Sequence, residues 1–242
     1  MCFELDSSPP VPVIAGAAIS HEDLELEAAD GTSFAAFHAA PDEPAAVGIV
    51  VLPDVRGLYR FYEEVALRFA ERGYRAVAID YFGRTAGVAK RDDDFPYAEH
   101  VEQTTQTGIQ ADVRAAVDFL RDQGCRSIFT VGFCFGGSSS WNAAAAGHGL
   151  AGAVGFYGRP GRVERIEAIR APILALMGGA DAAIPVGDVQ AFERALSEAG
   201  VEHEVKIYDG APHSFFDRKQ AEFADASADA WERVLAFVER YR

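Results

Sequence analysis

The sequence is poor in cysteine, in positive charge and in long apolar runs, and each shortage removes a class of protein. Its three cysteines, Cys2, Cys125 and Cys134, are odd in number and nowhere closely spaced. No disulfide framework and no zinc or redox pair can be built from them. Reduced thiols in a cytoplasmic setting are therefore expected. Lys and Arg number 22 against 37 Asp and Glu, for a formal net charge of −15. A surface of that sign repels phosphate backbones and anionic headgroups, so neither nucleic acid nor a membrane surface is an expected partner. An anionic small molecule would need a local arginine. No apolar run reaches the roughly eighteen residues that cross a bilayer. The opening MCFELDSSPP lacks the basic-then-apolar pattern of a signal peptide.

What is present is ample apolar material. Hydrophobic residues make up 49% of 242 positions, enough for one large core, and α/β chains of this length often fold as one unit. Residues 1–20 mix Pro, Gly, Ala and Ser without a period and are expected to form an irregular arm over the surface. Residues 21–242 show no repeats and no composition break, so a single domain is expected. Alternating stretches at 23–28 and 32–38, joined by Asp30-Gly31, predict an antiparallel hairpin. Solid apolar runs at 47–53, 74–79, 127–133, 151–157, 172–177 and 203–208 predict further strands. Between them lie helical patterns at 59–72, 107–123, 138–147, 188–199 and about 219–240, several ending at a glycine. This alternation predicts a mostly parallel sheet with an antiparallel edge hairpin and helices on both faces. The ligand site should lie outside the carboxyl ends of the strands. The long polar connection 85–106 has no clear period and is expected to be either a lid or a solvated insertion.

The run Gly132-Phe133-Cys134-Phe135-Gly136-Gly137 joins a buried strand to a helical segment. It is the G-x-nucleophile-x-G elbow of an α/β-hydrolase with Cys in the place of Ser. Such a turn strains the backbone at the nucleophile, and small residues on either side let strand and helix pack around it. The helix N-terminus beneath favours the thiolate, which at neutral pH is only roughly a few per cent of a free thiol. The alternative is a buried structural cysteine, which is how Cys125 reads; Cys2 lies in the arm. An elbow of this fold needs a carboxylate and then a histidine on later loops, in that order. Asp181, after 172–177, and His213, after 203–208, satisfy the order, with Asp209 and Asp217 as fallbacks for the carboxylate. Of the six histidines only His213 has that context. His213 would take the thiol proton and later activate water, held in the right tautomer by Asp181. The oxyanion hole needs two backbone N–H groups, and Phe135 and Val55 are the candidates. Asp54 beside Val55 would oppose the developing charge unless it accepts a hydrogen bond from the thiol or pairs with Arg56 or Arg60.

Taken with Pro53-Asp54, Asp80-Tyr81-Phe82-Gly83-Arg84, Phe156-Tyr157-Gly158, Gly178-Gly179-Ala180-Asp181 and His213-Ser214-Phe215, the elbow resembles the dienelactone hydrolase family over about residues 20–240. The resemblance implies an α/β-hydrolase that opens an unsaturated, carboxylate-bearing lactone through a thioester, without cofactor or metal. It implies a carboxylate at Asp54 that modulates the thiol, where the family typically has glutamate, and substrate contacts from Arg84 and Tyr157. The family's second carboxylate-binding arginine falls at Asp217 here, with Arg218 one step later as its substitute. The expected partner is a small lactone or ester; the chain would act as a monomer or small homo-oligomer. Two alternatives stay open: a thioesterase or general esterase acting on a neutral acyl group, and a non-catalytic ligand-binding protein.

Overall fold

The apolar runs pair side by side because strands buried on both faces can satisfy their amides only with one another. A computed structural model describes residues 3–217 and 222–242. Its strands are β1 (Ile19–Glu27), β2 (Ser33–Pro41), β3 (Val47–Leu52), β4 (Arg75–Ile79), β5 (Ser127–Phe133), β6 (Gly152–Phe156), β7 (Ile173–Gly178) and β8 (His203–Tyr208). They form one sheet in the order β1-β2-β4-β3-β5-β6-β7-β8. Contacts of β2 with β1 and with β4 are antiparallel, and from β4 to β8 all pairs are parallel. The expected architecture is thus observed. The strand order reverses between β3 and β5, so their carboxyl ends diverge and leave the crevice in which such sheets bind ligands.

The helices are α1 (Arg60–Ala70), α2 (Gly83–Ala86), α3 (Tyr97–Val101), α4 (Gln106–Asp122), α5 (Phe135–Ala145), α6 (Val186–Glu198) and α7 (Ala224–Tyr241). Alternation along the strands divides the core between the two faces. Ile49 and Val51 of β3 join Phe61, Val65 and Phe69 of α1 and Trp231 and Val234 of α7. Val50 and Leu52 turn the other way, to Val113, Val117 and Leu120 of α4. Trp141 of α5 and Phe192 and Leu196 of α6 form a third cluster over β7. No helix among the described residues is long and apolar enough to cross a membrane.

Two segments differ from expectation. The amino-terminal arm gives way to β1 at Ile19, inside the range expected to be irregular, and it is not merely a surface strand of chain: Phe3, Ser7 and Val11 are buried. The connection 85–106 is mostly exposed, but it is not structureless. It carries α3, and between α2 and α3 it is pinned by Arg91, whose Nη2 donates to Asp80 Oδ2 at 2.8 Å and whose guanidinium stacks on Phe95 at 4.7 Å. Asp80 also accepts the Leu58 and Phe82 amides, at 2.9 and 2.8 Å, which ties the loop after β3 to the end of β4. The Asp80 side chain is fully buried and that of Arg91 nearly so. Arg91→Met would strand the carboxylate; the expected cost is about 3–5 kcal/mol in urea unfolding. A loss below about 1 kcal/mol would mean that water reaches Asp80 and the pin is dispensable.

Candidate active site

Cys134 follows β5 and caps α5 with φ 52° and ψ −106°, in the left-handed half of backbone space. The turn is possible because its flanking positions lack side chains: a Cβ on Gly132 would fall 2.0 Å from the Gly136 carbonyl oxygen, and one on Gly136 would fall 2.1 Å from that of Leu52. The Cys134 amide donates to Phe156 O at 2.9 Å, anchoring the elbow to β6. Two other non-glycine residues share positive φ among the described residues, Tyr157 at 38° and Ser214 at 59°. One follows β6 and the other follows His213, so backbone strain gathers around one place.

That place holds three expected side chains together. His213 Nε2 lies 3.1 Å from Cys134 Sγ, and His213 Nδ1 lies 2.6 Å from Asp181 Oδ2. Asp181 follows β7 in a tight turn in which its other oxygen, Oδ1, accepts the Ala183 and Ile184 amides at 2.8 and 3.1 Å. Its side chain is wholly buried and therefore has a fixed orientation. The fallback carboxylates stand elsewhere: Asp209 is exposed and Asp217 faces Arg56. Phe135 opens α5, so its N–H has no helical acceptor. Neither it nor the Val55 N–H donates to a backbone or side-chain acceptor among the described residues. The Val55 loop rests on the elbow, with Pro53 O 2.3 Å from the Gly136 Cβ position and bonded by the Tyr81 hydroxyl at 3.0 Å.

The remaining expected residues are placed differently. Asp54 is engaged by Arg56, which donates to it from its backbone N–H at 2.9 Å and from Nε at 3.0 and 3.2 Å. Arg56 also pairs with Asp217. The pairing of Asp54 with Arg56 is therefore present. Arg84 is turned to other partners: Nη1 donates to both oxygens of Asp112 at 2.8 Å, and Nε and Nη2 donate to Asp30 at 3.0 and 2.9 Å. A guanidinium already bound by two carboxylates has no fork left for a substrate anion. Tyr157 is 1% exposed and packs its ring 5.1 Å from that of His213, so it braces the histidine rather than offering a face to substrate. Arg218 lies outside the described residues.

Arg56 is the residue that sequence reasoning missed as a centre in its own right. It is 3% exposed, and its guanidinium lies 4.3 Å from the Phe3 ring centroid. Burial opposes its charge, but Tyr62, Asp54 and Asp217 outweigh this and hold the guanidinium protonated more firmly than usual. Burial pushes the Asp217 carboxyl up to about 6, against the pull of Arg56 and Ser7. The only hint in the sequence is the Asp54-x-Arg56 spacing, since Asp217 is far along the chain.

A strained cysteine elbow, its histidine and a buried carboxylate at the carboxyl edge of a mostly parallel sheet define an α/β-hydrolase, and comparison with known proteins narrows the class. The sequence model of the dienelactone hydrolase family matches residues 34–242. A carboxymethylenebutenolidase of Rhodococcus opacus is 28% identical, with the match covering 100% of this chain and 97% of that one. A Saccharolobus solfataricus protein provisionally given the same name is 30% identical over 87% of this chain and 95% of its own. A Klebsiella pneumoniae crystal structure, provisionally described as a dienelactone hydrolase, superposes with a TM-score of 0.81 at 27% identity, covering 93% of this chain and 100% of that one. The chain belongs to the dienelactone hydrolase family and is a carboxylic ester hydrolase.

The Arg84 pairing has a consequence for stability against pH. Burial pushes the Asp112 carboxyl up to about 7, against the pull of Arg84. The folded chain then holds that proton more tightly than the unfolded chain, whose aspartates titrate near ~3.9. The contribution is full at low pH and is lost as pH rises from about 4 to about 7. Urea midpoints at either end of that window should show Asp112→Asn flattening the fall and Arg84→Ala steepening it. An identical slope in wild type and Asp112→Asn would show that Asp112 is ionised throughout.

Proposed function

We propose that the chain hydrolyses its ester or lactone through a thioester on Cys134. His213 Nε2 takes the thiol proton, and the thiolate adds to the substrate carbonyl. The oxygen that becomes negative is met by the Phe135 and Val55 N–H groups. Collapse expels the alcohol oxygen, which receives the proton from His213. In a lactone that oxygen stays tethered to the acyl chain. Water, deprotonated by the same nitrogen, then adds to the thioester; collapse expels the Cys134 thiolate, which takes the proton back from His213, and releases the acid, while Asp181 stabilises each imidazolium. The observation that carries this reading is the continuous chain from Cys134 Sγ to His213 at 3.1 Å and on to Asp181 at 2.6 Å.

On substrate class, the resemblance favours a carboxylated lactone, but the arrangement of charge favours a neutral acyl group. Arg84 and Arg56 are both bound by carboxylates, and Asp217 stands where an anion-binding arginine would be expected. A cleft of about 470 Å³ opens beside Phe135, with Val101, Ile109 and Val163 on its walls. Its one cation, Arg162, lies 5.7 Å over the Phe135 ring and shares the cleft with Glu102 and Glu164. Two carboxylates against one guanidinium make this cleft a poor host for an anion.

Cys134→Ala should abolish turnover with the fold intact, and His213→Ala should cost roughly 10⁴-fold in kcat, because such groups act as a unit. Initial rates on p-nitrophenyl acetate beside a carboxylated dienelactone check both points. Near-wild-type turnover by Cys134→Ala would remove it as the nucleophile. A kcat/KM higher for the dienelactone than for the neutral ester would remove the neutral-substrate reading and leave the mechanism standing.

A further inference from the structure

Arg56 lies at the meeting point of three segments far apart in sequence. Its own loop follows β3 and carries Val55. Asp217 belongs to the turn that begins at His213. The third segment is the amino-terminal arm: Glu4 O accepts Arg56 Nη1 at 3.0 Å, Ser7 Oγ lies within hydrogen-bond reach of both Glu4 O and Asp217, and Leu5 O accepts the Tyr59 hydroxyl at 2.5 Å. Phe3 closes over the guanidinium and packs edge-on to Tyr97 of α3, its ring centroid 5.6 Å away. Beneath, Tyr62 OH accepts Arg56 Nη2 at 3.4 Å. A buried cation bonded to two buried carboxylates, with a tethered lid of chain, is costly to assemble and needs a reason beyond stability.

The reason is visible in what surrounds Asp54. This carboxylate directly follows Pro53, whose carbonyl touches the elbow at Gly136. Unmasked, its charge would oppose both the thiolate and the oxyanion. We propose that Arg56 is a positioning residue for the hydrolysis: it masks Asp54 from the reacting atoms and ties the Val55 loop to the His213 turn, with residues 3–7 as the clamp that keeps it dry. This rests on Cys134 being the nucleophile. The charged and titratable groups around Arg56 are Asp54, Asp217, Tyr59 and Tyr62, with Asp92, Asp93 and Tyr97 lining the small cavity on its outer side. Around Cys134 stand His213, Tyr157 and Tyr81, and the phenols of both tyrosines feel Asp54 together with the Cys134 thiol.

The masking makes predictions of opposite sign. The cluster carries one net negative charge when both aspartates are ionised. Asp217→Asn removes that charge and eases thiol ionisation. Arg56→Met adds to it and opposes thiol ionisation. The test is the pH dependence of iodoacetamide alkylation at Cys134, resolved from the other two cysteines by peptide mass spectrometry in the full chain. Asp217→Asn should lower the midpoint by about half a pH unit, Arg56→Met should raise it by about one, and Arg56→Lys should fall between Arg56→Met and wild type. On p-nitrophenyl acetate, Arg56→Met should lose about tenfold in kcat with KM within about threefold, Arg56→Lys should recover part of it, and Ser7→Ala should lose a smaller part. Should Arg56→Met fail to fold, Asp217→Asn and Arg56→Lys carry the same test. Alkylation midpoints that stay at the wild-type value, or move in one direction for both charge changes, overturn the role of Arg56. Cys134→Ala in the same ester assay separates the two readings. If it is inactive while the midpoints do not move, only the Arg56 role falls; if it is active, the nucleophile falls and the Arg56 role falls with it.

Discussion

A methyl group on Gly136 would fall 2.1 Å from the Leu52 carbonyl oxygen, and one on Gly132 would meet Gly136 just as closely. These two contacts decide how near α5 can come to the strand from which it springs and to the loop that follows β3. Everything chemical depends on that approach. It sets the Cys134 backbone at φ 52° and brings the sulfur to 3.1 Å from His213 Nε2. Without the approach the same three side chains would still be present, but not in line. The strain is shared with Tyr157 and Ser214 in the neighbouring loops.

Charge near the site is handled by enclosure. Arg56 and Arg91 point inward and Arg84 lies nearer the surface, and each is matched by a buried carboxylate: Asp54 with Asp217, Asp80, and Asp112. Pairs of this kind bring little net stability, because desolvation consumes most of the attraction, but they tolerate only one geometry. They fix loops that have no secondary structure of their own. The same matching leaves few free cations beside the sulfur, in a protein whose surface is already strongly negative.

Local signals were legible in the sequence because they arise from local physics. The central strands fall within a residue or two of the ends predicted from their apolar runs, since burial on both faces leaves little freedom in composition. β1 starts earlier than its alternation suggests because Ser20 to Asp23 are exposed on a sheet edge, where pattern carries no information. α5 starts three residues early because Cys134 itself serves as the cap. Cys134, Asp181 and His213 could be picked out by chain order and by their place after strands. Arg56 and Arg91 could not. Beyond the adjacent Asp54, the partners of Arg56 lie 161 residues downstream and 52 upstream, and no periodicity links them. Arg84 sat in a matching motif, yet which carboxylates would reach it depended on the hairpin turn and α4 meeting in space.

The two ends of the chain are not equivalent places to attach anything. Phe3 stacks on the guanidinium that joins two active-site loops, so a purification tag or fusion partner built upstream of it would pull on the wall of the reaction chamber. Arg242, by contrast, lies beside Val47 and Ser127, where β3 and β5 begin, at the opposite edge of the sheet from the sulfur. Anchoring the enzyme to a bead or a partner through its carboxyl end would leave the mouth of the crevice open and the clamp untouched.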